Sequence, residues 1–143
     1  MLLAHAAAVK RFRALVPGGL IGINLNAEWA EPASAEPGDV EAAQRYLDFQ
    51  LGIYGDPVFL TGDYPPSVRA RVPALPQFTP QQSADLLGSA DYFLLNHYTS
   101  RWVRNATGEL GTPMPGVPAD AQALTELDGK ARRGRRRVGG VRG

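Results

Sequence analysis

The chain has 143 residues, 44% of them apolar, with 15 lysines and arginines against 14 aspartates and glutamates. That length suits one domain with a core, and the composition is too apolar for a wholly disordered chain. The absence of cysteine excludes disulfides, thiolate metal sites and a sulfur nucleophile, and two histidines, His5 and His97, exclude a multi-histidine zinc centre.

The net charge of +1 conceals two unlike parts. Lys130, Arg132, Arg133, Arg135, Arg136, Arg137 and Arg142 crowd the segment 130–143 with no acid among them. Residues 1–129 keep eight basic and fourteen acidic side chains, which makes a mildly acidic body. No apolar run approaches the roughly 18 residues of a membrane span. The apolar stretch Met1 to Val16 carries Lys10, Arg11 and Arg13 on the wrong side for a signal peptide. No membrane partner is expected; a cysteine-free chain is compatible with the cytoplasm but does not fix the compartment.

Residues 2–16 are dense in Ala and Leu and free of Gly and Pro, which predicts a helix. Pro17-Gly18-Gly19 should stop it. Leu20 to Leu25 is an apolar run of strand length, and residues 30–38, with two prolines and a glycine, read as loop. Asp39 is the predicted N-cap of a second helix, Val40 to Leu51, ending at Gly52. Residues 53–78 are rich in turn formers and hold at most a short helix near Ser67–Arg71. Thr79-Pro80-Gln81-Gln82 has the form of a capping box with proline at the first helical position, opening a helix that ends at Gly88. Tyr92 to Asn96 is the second predicted strand. Residues 104–143 show no periodicity beyond Ala121–Leu127 and read as loop and tail.

Apolar strands alternating with helices predict an α/β protein with parallel pairing. In a (β/α)8 barrel, reacting groups gather at the carboxyl ends of the strands. Here those ends are Asn24 to Trp29 and Asn96-His97-Tyr98-Thr99, both unusually polar and aromatic. Ordinary loop residues satisfying the backbone would look much the same.

Several short strings, taken together, carry a resemblance. They are Ala4-His5-Ala6 with Ala8-Val9, Ile21-Gly22-Ile23, Trp29-Ala30-Glu31-Pro32 and Asp39-Val40-Glu41-Ala42-Ala43. Leu47-Asp48-Phe49, Leu51-Gly52, Asp56-Pro57, Gly62-Asp63-Tyr64-Pro65 and Leu75-Pro76-Gln77-Phe78-Thr79 follow. Leu87-Gly88-Ser89, Asp91 and Asn96-His97-Tyr98-Thr99 close the series. In order and spacing the whole resembles the middle of the family 1 glycoside hydrolases, the β-glucosidase family.

The resemblance implies part of a (β/α)8 barrel, from its fourth helix to its sixth strand, with two parallel strands and three to four helices. Residues 1–103 would form the barrel part, and 104–143 a loop with a disordered basic tail. It implies retaining hydrolysis of β-glycosidic bonds, a β-glucoside as small-molecule partner and no cofactor. Such chemistry uses one carboxyl group as acid and a second as nucleophile, about 5 Å apart. The family carries these in Asn-Glu-Pro and Glu-Asn-Gly type motifs, and neither occurs here. The chain by itself is therefore expected to be inactive and, with open sheet edges, weakly stable.

Glu31 in Ala30-Glu31-Pro32 is not a substitute, because Trp29 assigns it to the family's separate Trp-x-Glu-Pro segment. Glu28 and Glu31 also share one loop, whereas the mechanism needs carboxylates facing each other across a sugar. Tyr98 matches the family tyrosine that donates a hydrogen bond to the nucleophilic carboxylate. Asn96 is expected in the same pocket, with Asn26 and Trp29 bordering the leaving-group entrance; packing is an equally good reading of Trp29. His5 and His97 are expected to be structural, and Gly62-Asp63-Tyr64-Pro65 to be turn chemistry. No metal site is expected.

The basic run 130–143 could neutralise phosphates, which defines a second reading: a non-catalytic interaction protein with a nucleic-acid-binding tail. Nucleic acid is the less favoured partner, since aromatic residues for base stacking are absent beyond Trp102. Asn105-Ala106-Thr107 fits a glycosylation sequon by pattern alone. The sequence does not set the oligomeric state.

Overall fold

The computed structural model describes residues 1–106, 120–127 and 130–131. Helix α1 (Leu2–Leu15) buries Leu2, Ala6 and Val9, the face its three-to-four spacing produces. The expected stop holds: the helix ends before Pro17, and Gly18 takes a φ of +78° that glycine adopts without steric cost. Strand β1 (Gly22–Asn26) follows. Strand β2 (Trp29–Pro32) lies largely in the stretch read as loop. It is the edge of a sheet, where proline is tolerated because no neighbouring strand needs its missing N–H.

Helix α2 (Pro37–Leu47) begins earlier than the sequence suggested, with Glu36 as N-cap and Pro37 in its first turn. Asp39 is therefore inside the first turn rather than at the cap. Its carboxylate accepts the Asn105 backbone N–H at 2.8 Å and the Ser34 hydroxyl at 2.7 Å. The helical path does not stop at Gly52. A π-helical turn (Asp48–Gly52) leads directly into α3 (Ile53–Phe59). Gly52 has ordinary right-handed dihedrals, and a Cβ there would come within 2.9 Å of the Pro65 ring. This glycine permits a close approach; it does not terminate a helix.

Helices α4 (Pro66–Arg71) and α5 (Pro80–Leu86) complete the helical layer. The capping box forms as the residues dictate: Gln82 N–H donates to Thr79 Oγ1 at 3.2 Å, and Thr79 N–H to Gln82 Oε1 at 2.9 Å. Such a cap contributes about 1 kcal/mol. Strand β3 (Tyr92–Asn96) is followed by β4 (Ser100–Asn105), β5 (Ala121–Leu124), β6 (Glu126–Leu127) and β7 (Lys130–Ala131). The basic residues 132–142 lie outside the described residues, as do Thr107 of the sequon and the expectation of a disordered tail.

The two apolar strands pair in parallel, as expected, with Ile23 opposite Phe93 and Asn26 opposite Asn96. A second sheet, not anticipated, has the order β2-β4-β5, parallel on one side and antiparallel on the other. Two cores result. Helix α2 lays Ala42, Ala43 and Tyr46 on Ala30, Val103 and Ala121 of the second sheet. Leu2, Ala6, Val58, Leu86 and Ala90 form the other, against Ile23 and the rings of Tyr54, Phe59, Tyr64 and Phe78. Full burial of a side chain such as Leu86 supplies about 1.5–3 kcal/mol.

Asp91 ties the first β-α unit to the second. Its carboxylate accepts the Ile21 N–H at 2.8 Å and pairs with Arg13 at 3.0 Å. Beyond that tie the parallel pair is thinly covered: Tyr92, Phe93, Leu94 and Leu95 remain 42–46% exposed. Hydrogen exchange is therefore expected to be faster in β1 and β3 than at Ala42, Ala43, Tyr46 and Val103. Uniformly strong protection together with a cooperative melt of the monomer would contradict this.

Candidate functional site

A Cβ on Gly22 would run into the Tyr92 ring, so positions 22 and 92 share one face of the parallel pair. Strand alternation then sets Asn24 and Asn26 of β1 on that face with Leu94 and Asn96 of β3. Asn26 and Asn96 stand opposite each other at the carboxyl ends, an amide pair with Asn26 exposed and Asn96 half-buried. Ile23 and Leu25 turn the other way, toward the helices.

Beyond the strand ends the two chain paths run side by side. Ala27 N–H donates to the Asn96 carbonyl and Trp29 N–H to the Thr99 carbonyl, both at 3.2 Å. The His97 ring Nδ1 donates to the Ala27 carbonyl at 3.2 Å, which gives this histidine a structural bond. Tyr98 is 82% exposed, its phenol open to solvent. Trp29 is half-exposed, and its indole N–H donates to Glu31 Oε2 at 2.9 Å. Four residues singled out from sequence, Asn26, Trp29, Asn96 and Tyr98, thus lie along one end of the strand pair.

One polar junction of the region was not legible in sequence. Glu28, between β1 and β2, receives a two-pronged grip from Arg101 of β4, Nε to Oε2 at 2.9 Å and Nη2 to Oε1 at 3.1 Å. The buried Tyr46 hydroxyl of α2 donates to the same Oε2 at 2.9 Å. These bonds, Arg101 foremost, hold the Glu28 carboxyl below its usual range against partial burial that pushes it up. Burial first, then Glu28, push the Tyr46 phenol above its ordinary value. One carboxylate thereby joins loop, helix and second sheet.

Glu28 and Glu31 are both engaged, and they belong to one short stretch of chain. Neither pair geometry nor freedom suits them to act as opposed acid and nucleophile. His5 is likewise structural: Nε2 lies 3.1 Å from the buried Ser89 hydroxyl, and desolvation lowers its pKa. In the Gly62-Asp63-Tyr64-Pro65 turn, Gly62 has a φ of +76° and Asp63 accepts the Tyr64 N–H and a fork from Arg69. That is the local chemistry its residues predict.

Behind the strand ends lies a cleft of about 310 Å³ bordered by Trp29, Gln44, Asp48, Asp56, Leu95 and His97. Burial, and then the neighbouring Asp48, push the Asp56 carboxyl upward. Among the described residues no cluster of three His, Asp or Glu side chains could hold a metal ion. No helix among them is long and apolar enough to cross a membrane.

The same architecture recurs in solved structures. A rice beta-glucosidase superposes with a TM-score of 0.78 at 40% identity, covering 91% of this chain and 28% of that one. A beta-glucosidase from the fungus Humicola insolens, solved in complex with glucose, matches with a TM-score of 0.78 at 34% identity over 91% of this chain and 28% of that one. The fold is therefore a mixed α/β part of a (β/α)8 barrel. Beta-glucosidase 42 of Arabidopsis thaliana is 45% identical over 113 residues, 76% of this chain and 23% of that protein. The family model described as Glycosyl hydrolase family 1 matches residues 1–129, and the chain belongs to that family. It spans about a quarter of the length of the curated relatives it matches.

Arg101→Met is expected to destabilise the chain by about 1.5–3 kcal/mol, the range for hydrogen bonds to a charged group, measured by urea unfolding at neutral pH. The Glu28 carboxyl titrates lower folded than unfolded, so its contribution is complete above the ordinary glutamate range and fades as acid titrates the folded state. The gap between variant and native chain is accordingly expected to narrow on acidification. A gap that widens in acid would contradict the assignment.

Proposed function

We propose that this chain contributes one wall of the sugar-binding mouth of a retaining beta-glucosidase barrel and does not cleave glycosides by itself. The observation that carries the reading is the in-register pair Asn26 and Asn96 at the carboxyl ends of parallel strands, with Tyr98 open beside them. Those ends are where barrel enzymes assemble their chemistry. The substrate class is a β-glucoside, a reading supported by the glucose complex of the Humicola relative.

In this reading the two amides supply donors and acceptors to sugar hydroxyls. The Tyr98 phenol donates to the nucleophilic carboxylate, stabilising its ionised form and fixing its direction. The Trp29 ring offers an apolar face to the leaving group. Retaining hydrolysis needs an acid and a nucleophile about 5 Å apart and no cofactor. Neither Asn-Glu-Pro nor Glu-Asn-Gly occurs in these 143 residues, and Glu28 and Glu31 are bound elsewhere. Both reacting carboxylates must then come from residues other than these.

The purified chain is expected to release no 4-nitrophenol from 4-nitrophenyl β-D-glucoside beyond the buffer rate. Sustained release that disappears in Tyr98→Phe would overturn the proposal, because it would place a complete active site within this chain.

A further inference from the structure

The parallel pair is a sheet of two strands, so among the described residues β1 and β3 each keep one edge unpaired. Beside β3 the sheet is also bare on both faces. Tyr92 and Leu94 are exposed on the open face, Phe93 and Leu95 on the face toward the helices. Parallel sheets are stable when both faces are covered. The free side of β3 thus lacks a strand beside it and a helix over it.

The β1 side of the same unit carries both. Helix α1 comes immediately before β1, and from Leu2 to Val9 every side chain but His5 is apolar. A helix that is apolar all round is a buried one. Leu2 and Ala6 do pack in the core with Ile23 of β1. Leu3, Ala4, Ala7, Ala8 and Leu15 remain exposed on the outside.

These two surfaces fit each other. A second copy set with its β1 on the free edge of β3 continues the sheet in parallel. Its α1, which precedes that strand, then falls where a crossover helix would cover Phe93 and Leu95. Pairing β3 with β3 about a two-fold axis would be antiparallel and would leave α1 bare on both copies. A head-to-tail contact leaves one surface of each kind free at its ends, so it repeats until the rotation closes. Parallel barrels of this kind close at eight strands, and each copy brings two.

We propose that the free side of β3 is an interaction surface for α1 and β1 of a second copy of this chain, and that four copies close an eight-stranded ring. The proposal goes beyond the sugar-site reading. Identical chains add no reacting carboxylate, so the expected silence toward glycosides is the same with or without assembly.

Native mass spectrometry and light scattering of the purified chain over a wide concentration range test it. Four copies in equilibrium with the monomer are expected. Hydrogen exchange in β1 and β3, fast in the dilute chain, is expected to slow as they assemble. A chain that stays monomeric, stops at two copies or runs on past four overturns the proposal. Two variants test the direction of the contact. Leu94→Lys places a charge on the β3 surface alone, and Ala8→Glu on the α1 surface alone. Each is expected to be monomeric with a native circular dichroism spectrum. Mixed in equal amounts, they are expected to form a one-to-one heterodimer and nothing larger, since one intact surface of each kind remains. Two folded variants that form no heterodimer overturn the head-to-tail contact; should either unfold, the mass of the native chain decides alone.

Discussion

The parallel register of β1 on β3 is the constraint from which the site geometry follows. Residues 27–91, with β2 and all of α2 to α5 among them, separate the two strands, yet they meet with Asn26 opposite Asn96 and Ile23 opposite Phe93. A shift of one residue would exchange the faces, sending the asparagines into the helical layer and the aliphatic side chains out. The register is held from both ends. Asp91 gathers Ile21 and Arg13 at the amino end, and the Ala27 and Trp29 amides clasp the second path at the carboxyl end. Side chains seventy positions apart in sequence become neighbours because those ties leave no freedom to slide.

Electrostatics in this chain serve assembly. Glu28, Asp39, Asp63 and Asp91 all titrate below their ordinary range, and in each case a hydrogen bond to a guanidinium or a backbone amide leads the cause. Each of these carboxylates joins segments: loop to helix and sheet, helix to strand, turn to helix, and the entrances of two strands to each other. Asp56 moves the opposite way, by burial and by the nearness of Asp48.

The sequence shows best what is local. The Ala-rich first helix, the Thr79–Gln82 box and the two apolar strands are visible because propensity, capping and hydrophobic runs act within a few residues. The second sheet was hidden because its members are short and ordinary in composition. Trp29–Pro32 contains a proline, and Ala121–Leu124 contains two alanines; each is a strand only because β4 lies between them. Gly52 misled because glycine ends helices more often than it lets a proline ring approach one. Of the strand-end residues, Asn26, Trp29, Asn96 and Tyr98 were reachable through the family resemblance. The Glu28–Arg101–Tyr46 junction was not, since nothing in sequence links positions that meet only after both sheets form.

Pro32 carries a consequence for how copies of this chain meet. The Ala33 N–H reaches back to the Val103 carbonyl, so alternation turns the nitrogen of Pro32 toward the outer margin of β2. A visiting strand would find no donor at that point, and the margin is blunted against growth. The opposite holds for Tyr92-Phe93-Leu94-Leu95, which has neither proline nor charge to repel a visitor. Concentrated solutions of this polypeptide are thus steered to stick through one ribbon and spared along the other.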